Sequence, residues 1–365
     1  MQADLIKFYN DKKILITGHT TFLGSWLTML LHNMGAKLTG FSMPPPAYPN
    51  MYIETDLHEL IHSCIGDVRD FESFNNIVQR HQPEIVIHLS SVCGYLDSVE
   101  PKELYTINLL GSLNALEMCR QSANTRVFVN LVPDYSGTMM LKSCGKQNQG
   151  ELDLVTGSFR STEFLTTGYR NTYFDPNNYE SHHKSVANVR TFPPVGGGDW
   201  SRNNLIQEYI HAMLSNKKQL MTRPEKSLYM LHVLDALTGV LVATRKFYED
   251  ASTSDVVCDC KIEAGDTYFM DEKWVAQTFS KHWDENEIVI KTDQKQPAAQ
   301  LSYKGDSSGY IPVSNWTPKW DAETALKKTI EWHQARERGA NMQRFSLGQV
   351  EEFLSIAPGF NPEKE

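Results

Sequence analysis

The chain has 365 residues, 41% hydrophobic and 22% charged, which excludes a collagen-like, low-complexity or wholly disordered protein. Its 35 Lys plus Arg against 44 Asp plus Glu give a formal net charge of −9, and no run of five or six basic residues occurs. A nucleic-acid footprint and a polybasic membrane patch are therefore excluded, and a small-molecule ligand is the expectation. The six cysteines (Cys64, Cys93, Cys119, Cys144, Cys258, Cys260) form neither a CxxC pair nor a Cys/His cluster at zinc spacing, so no metal site is expected. The N-terminal stretch lacks the apolar core of a signal peptide, and no run of about 18 apolar residues follows, which predicts a cytoplasmic protein with free thiols.

In chain order, Lys13–Thr17 (KILIT) reads as a strand that ends in a glycine-containing turn. Gly24–Met34 then reads as a helix with Trp26, Leu27, Leu30 and Leu31 on one side. Lys37–Ser42 is a second strand, stopped by the Pro-rich loop Pro44–Pro49. A helix over Phe71–Arg80 leads to Glu84–Leu89 (EIVIHL), an almost continuous apolar strand that must be covered on both faces. A helix over Leu104–Gln121 and a strand over Arg126–Val132 follow. Such alternation predicts an α/β, doubly wound parallel sheet of Rossmann-like type.

Ser136–Gly157 reads as a loop over the mouth of the sheet, Glu163–Tyr173 as a helix and Ser185–Arg190 as a strand. Pro193–Trp200 is a glycine-rich turn, and helices are expected over Asn203–Leu214, Val233–Tyr248 and Ala322–Arg336, with short strands at Asp255–Asp259 and Glu287–Ile290. The expected organisation is a nucleotide-binding domain over 1–190, a smaller C-terminal substrate region over 191–340 with some elements returning to the first domain, and a tail over 341–365. No linker separates the first two.

Thr17-Gly18-His19-Thr20-Thr21-Phe22-Leu23-Gly24 resembles a dinucleotide-binding turn. The first Gly of such a turn allows the bend, the middle one lets backbone approach a pyrophosphate, and the last lets helix pack on strand. Here the middle position is Thr21. Together with IGDVRDF, PEIVIHLS, NLLG, RNTYFDPNNYE, VGGGDW, HVLDALTG and NWTPKWDAETALKKTIEWH, in that order, the turn makes the chain resemble the CDP-glucose 4,6-dehydratases of the extended short-chain dehydrogenase/reductase superfamily, over roughly residues 7 to 335. The resemblance implies an NAD-binding domain, a C-terminal region that grips a nucleotide sugar, and a homodimer through two long helices.

Carried over residue by residue, the resemblance places Gly18, Thr21, Phe22, Leu23 and Gly24 at the pyrophosphate, Asp67 and Val68 at the adenine edge, and Ser90, Ser91, Asn108 and Asn130 along the nicotinamide side. Asn130 is counted with Cys93, Arg190 and Arg223 as a substrate-side candidate. Two departures put NAD binding in doubt: Thr21, and Pro44 where an acidic residue would hold the adenosine ribose. The chemistry departs further. The family's Tyr-x-x-x-Lys base pair falls on Val155 and Phe159, both apolar, and no tyrosine lies between Tyr135 and Tyr169. Of the segment Val132-Pro133-Asp134-Tyr135, Asp134 falls on the family's acid, Val132 on its Thr and Tyr135 on its Lys.

Asp134 reads either as a retained acid or as a turn-capping aspartate. Tyr135 is either a replacement acid or a surface tyrosine, and Cys93 either a nucleophile or an inert thiol. His88, in an apolar strand, reads as a satisfied core histidine, and His182 and His183 as solvated. The expectation that follows is a diverged homologue that handles a nucleotide-sugar-like or other small metabolite without the Tyr/Lys redox chemistry. A non-catalytic partner of an active paralogue and an NAD-dependent dehydratase with substitute residues are the alternatives.

Overall fold

The computed structural model describes residues 2–45, 48–89, 100–134, 154–201, 205–215, 219–222, 227–250, 259–283, 289–292 and 310–356. Twelve strands are formed among them: β1 (Lys13–Thr17), β2 (Lys37–Ser42), β3 (His62–Ile65), β4 (Ile85–His88), β5 (Val127–Pro133), β6 (Ser185–Thr191), β7 (Gln219–Thr222), β8 (Ser227–Tyr229), β9 (Cys260–Ile262), β10 (Phe269–Asp271), β11 (Val289–Thr292) and β12 (Ile311–Pro312). Eight build one sheet in the order β12-β9-β6-β5-β4-β1-β2-β3, every neighbouring pair parallel. Strand order reverses between β1 and β4, which opens a crevice at their C-terminal ends, the place where ligands bind in such sheets.

The apolar strands separate two cores by their period of two. Ile14, Ile16, Ile85, Ile87, Val127 and Val129 face a large cluster with Trp26 and Leu30 of helix Phe22–Asn33, Leu237 and Val240 of helix Val233–Glu249, and Phe353 of helix Met342–Ser355. Leu15, Val86 and Phe128 face the other side, against Phe74 and Val78 of helix Phe71–His81 and Leu116 of helix Gly111–Gln121. Burial on both faces explains why these strands read as continuous apolar runs.

The region expected over 191–340 divides. Strands β9 and β12 and helix Val233–Glu249 join the main sheet and its core. Helices Leu205–Leu214, Glu272–His282 and Ala322–Glu337 enclose a second core with Tyr209, Ile210, Phe279 and Leu326. The expected tail over 341–365 carries helix Met342–Ser355, whose Val350 and Phe353 lie in the main core.

Two expectations change. The helix expected from Glu163 begins nine residues earlier and spans Leu154–Tyr173, because Ser158, Ser161, Thr162 and Thr166 donate their hydroxyls back to carbonyls three or four residues behind them and so bury inside it. The strand expected over Asp255–Asp259 lies mostly outside the described residues. The neighbouring strand is Cys260–Ile262, and Asp259 turns its carboxylate to the Arg170 guanidinium. Among the described residues no helix is long and apolar enough to cross a membrane.

Candidate functional site

At the C-terminal end of β1 the chain turns at Gly18 (φ 78°) and enters helix Phe22–Asn33. Thr21 is the N-cap: its Oγ1 donates to the Gly18 carbonyl at 2.8 Å and accepts from the Gly24 amide at 3.2 Å. The substituted position therefore acts as a helix cap. A Cβ on Gly24 would stand 2.2 Å from the Gly18 oxygen, so the last glycine of the turn is required by close helix–strand packing. Phe22 and Leu23 lean on the main core, and the Phe22 ring reaches Gly196 of the GGGDW turn. That turn serves packing: Trp26 Nε1 donates to the Gly197 carbonyl, and a Cβ on Gly197 would fall inside the Trp332 side chain.

The end of β2, where a ribose-binding carboxylate would stand, is closed by the protein's own hydroxyls. Thr20 Oγ1 lies 2.8 Å from Ser42 Oγ and donates to the Met43 carbonyl, with Thr20 and Ser42 buried and Pro44 exposed beyond them. His19 is fully buried, 2.8 Å from Ser63 Oγ, and burial pushes its imidazole down to about 4. Asp67 takes two hydrogen bonds from the Arg69 guanidinium, at 2.6 and 2.8 Å, and one from its amide. Although burial opposes it, that pairing holds the Asp67 carboxyl below its usual range. Val68 is buried against Gly111.

Across the crevice a chain of hydrogen bonds runs through the interior. Thr17 Oγ1 meets His88 Nδ1 at 2.8 Å, His88 Nε2 meets Ser112 Oγ at 3.1 Å, Ser112 donates to the Asn108 carbonyl, and Asn108 Nδ2 donates to Ser158 Oγ at 2.8 Å. Both His88 nitrogens are partnered, and burial takes its imidazole down to about 4, so it is a neutral core histidine. Asn108 sits in a π-helical turn, Thr106–Leu110, and joins β4 to helix Leu154–Tyr173 through this chain.

Val155 and Phe159, four apart on one face of that helix, pack with Val132 at the end of β5 and with Leu104 as an apolar cluster. Beside the cluster, Asp134, Thr156, Phe159, Arg160, Glu163 and Arg190 line a cavity of about 10 Å³. That volume is at the lower limit for one water, so this cavity is not a sugar pocket. Arg190 grips Glu163 with two parallel hydrogen bonds, Nε–Oε1 at 2.5 Å and Nη2–Oε2 at 2.6 Å, and Arg160 adds a contact at 3.4 Å. The Arg190 guanidinium lies 3.7 Å from the centre of the Tyr310 ring. Burial raises the Glu163 carboxyl to about 7, against the pull of the Tyr310 hydroxyl and Arg160. Asp134 is buried, its amide bonded to the Thr191 carbonyl.

Asn130 lies deeper, donating to Asn188 Oδ1 at 2.9 Å and to Thr166 Oγ1 at 3.2 Å, in a seam that continues to Asp259 and Arg170. Of the residues proposed from the sequence, the structure thus brings Asp134 and Arg190 together, and it embeds Asn108 and Asn130 in interior networks. Ser90, Ser91, Cys93, Tyr135 and Arg223 lie outside the described residues. Arg160, Glu163 and Tyr310 escaped the sequence reading. Arg160 and Glu163 are neighbours three apart on one helix, but Arg190 and Tyr310 reach them from distant segments, and no local spacing signals that the four meet.

A doubly wound parallel sheet with a glycine turn after β1 and a smaller C-terminal core defines the extended short-chain dehydrogenase/reductase class. The chain belongs to the NAD dependent epimerase/dehydratase family, which it matches over residues 14–258. It is 28% identical over 354 residues to CDP-glucose 4,6-dehydratase of Salmonella typhimurium, spanning 95% of this chain and 98% of that protein. Among solved structures it superposes on dTDP-glucose 4,6-dehydratase from Bacillus anthracis in complex with NAD, with a TM-score of 0.66 at 16% identity over 90% of this chain and 98% of that one. It also superposes on UDP-glucose-4-epimerase from Stenotrophomonas maltophila with bound NAD and formylated UDP-arabinopyranose, with a TM-score of 0.70 at 14% identity over 90% of this chain and all (100%) of that one.

Proposed function

We propose that this protein is a diverged member of its family that binds a nucleotide-sugar-like or other small metabolite in the crevice and acts on it without hydride transfer through a Tyr/Lys pair. The observation that carries the reading is the apolar cluster of Leu104, Val132, Val155 and Phe159. A phenol and an ammonium are needed to abstract a proton from a sugar hydroxyl as hydride leaves, and a valine and a phenylalanine supply neither. The acid–base groups beside the cluster are Asp134 and Glu163, with the Arg190 and Arg160 guanidiniums held against Glu163.

The residues at the dinucleotide turn weigh against NAD as the redox cofactor of the proposed reaction. The Thr20 and Ser42 hydroxyls pair with each other, the Asp67 carboxylate is engaged by Arg69, and the Thr21 side chain caps the helix where bare backbone would meet a pyrophosphate. No step of the proposed reaction is routed through the dinucleotide. A homodimer belongs to the proposal, supported by Leu110, Phe164 and Tyr173, large apolar side chains left exposed on the two long helical segments, Phe164 by 77%.

The test incubates the protein with CDP-glucose and NAD, and separately measures thermal stabilisation by a panel of nucleotides, nucleotide sugars and sugar phosphates. The expected result is no 4-keto-6-deoxy sugar and a shift with at least one panel member. Formation of the keto sugar refutes the reading. A panel without any binder favours the second reading, a non-catalytic partner of an active paralogue, for which the filled catalytic position is the supporting observation.

A further inference from the structure

The outer edge of the sheet carries a cluster unrelated to the crevice. On β3, His62 and Cys64 are two residues apart and so share a face, the one covered by helix Phe71–His81. His81 closes that helix, and its ring lies with its centroid 4.4 Å from that of His62, the planes inclined by 40°. One ligand atom from each of His62, Cys64 and His81 lies within 4.8 Å of the other two. His81 Nε2 is buried and has no hydrogen-bond partner among the described residues. A buried imidazole nitrogen without a partner, close to a second imidazole and a thiol, is a polar atom that a bound ion would satisfy.

We propose that His62, Cys64 and His81 bind one zinc ion, with solvent in the fourth position. Two imidazoles and a thiolate form a borderline-soft donor set that suits Zn²⁺ and disfavours Mg²⁺ and Ca²⁺. Zn–N bonds of about 2.0 Å and a Zn–S bond of about 2.3 Å place tetrahedral donors roughly 3.5 Å apart. The donors must therefore close by about an ångström as the ion binds, and His62, the exposed member of the three, is the most free to turn. Cys64 coordinates as thiolate, its proton passing to solvent as the S–Zn bond forms. The ion would join the end of helix Phe71–His81 to β3, the strand that ends the sheet among the described residues.

The experiment uses the full chain, stripped with a chelator and dialysed, then titrated with Zn²⁺ by calorimetry and with Co²⁺ by absorption. The expected result is one equivalent bound, a higher melting temperature, and a cobalt spectrum with a thiolate charge-transfer band and visible bands of tetrahedral intensity. His62→Ala, at an exposed edge position, and Cys64→Ser should each weaken binding at least tenfold, and Cys64→Ser should also remove the charge-transfer band. Retained circular dichroism in His62→Ala separates lost ligation from lost folding. Binding of less than one equivalent at micromolar concentrations, a cobalt spectrum without the thiolate band, or the same affinity in both variants overturns the proposal.

Discussion

Replacing Arg190 by methionine gives a direct measure of the polar group beside the apolar cluster. The side chains of Arg190 and Glu163 are 4% and 9% exposed, and their two hydrogen bonds are short and parallel. Loss of the guanidinium strands a buried carboxylate, with Arg160 at 3.4 Å as the remaining cation. Breaking a buried pair from one side costs about 3–5 kcal/mol, because the surviving charge keeps its desolvation penalty and loses its partner. The Glu163 carboxyl, already raised to about 7 by burial, then rises further. A folded-state value above the unfolded one makes a carboxyl bind more protons in the native state, so the stability of the variant should fall as pH climbs from about 4.5 through 7. The double variant Glu163→Leu/Arg190→Met removes both charges and should recover most of the loss, ending near or above the parent. Urea unfolding at two pH values measures all three proteins. A single variant that costs less than about 1 kcal/mol, or a double variant as unstable as the single, would refute this account of the pair.

Gly24→Ala should lower the urea midpoint markedly, since its methyl would stand 2.2 Å from the Gly18 carbonyl oxygen; an unchanged midpoint would show that the turn can spread. Acid should unfold the protein early, because His19, His88, His232 and His333 are buried with imidazoles pushed down to about 4, 4, 3 and 3, against about 6.5 in the unfolded chain. Depressed values leave their contribution intact above pH 6.5 and remove it as pH falls. A pH unit below the unfolded value each group withdraws on the order of 1 kcal/mol, so the four together remove a sizeable part of a domain's stability. Native circular dichroism persisting at about pH 4.5 would contradict that sum.

The parallel strands were legible because burial on both faces leaves an unbroken apolar run, as in Ile85–Ile87 and Val127–Val129. β3 was not, because HSCI is a short edge strand whose polar residues carry no alternation strong enough to stand out. Helix Leu154–Tyr173 opens with Thr156, Gly157, Ser158, Ser161 and Thr162, weak helix formers, and the Ser158, Ser161 and Thr162 hydroxyls bond back to carbonyls of the helix itself, a pairing that composition does not reveal. The absence of a tyrosine between Tyr135 and Tyr169, on which the proposed function leans, is a matter of identity, and a sequence states identity directly. What gathers there in space is a matter of convergence. Glu163 and Arg190 stand 27 residues apart, and Tyr310 arrives from beyond β9. The grouping of His62, Cys64 and His81 is invisible to sequence spacing for the same reason, since the three meet only when an unforeseen strand lies beside the end of a helix.

The two halves of the candidate site carry different implications. Leu104, Val132, Val155 and Phe159 are what a chain free of catalytic duty places in its interior, because apolar contact stabilises without any partner requirement. The Arg190–Glu163 and Arg170–Asp259 pairs are the opposite, since apolar residues of similar volume would be at least as stable there. If the ionic groups serve only to fix the packing of helix Leu154–Tyr173 on β6, the Glu163→Leu/Arg190→Met protein should lose conformational uniqueness, seen as broadened amide resonances, with ligand binding reduced in proportion. If they serve a ligand, the same protein should remain sharply folded and lose binding alone. The second outcome is the one the proposed function requires, because Asp134, Glu163 and Arg190 keep charged groups around the small cavity beside the apolar cluster, where packing alone gives no need for them.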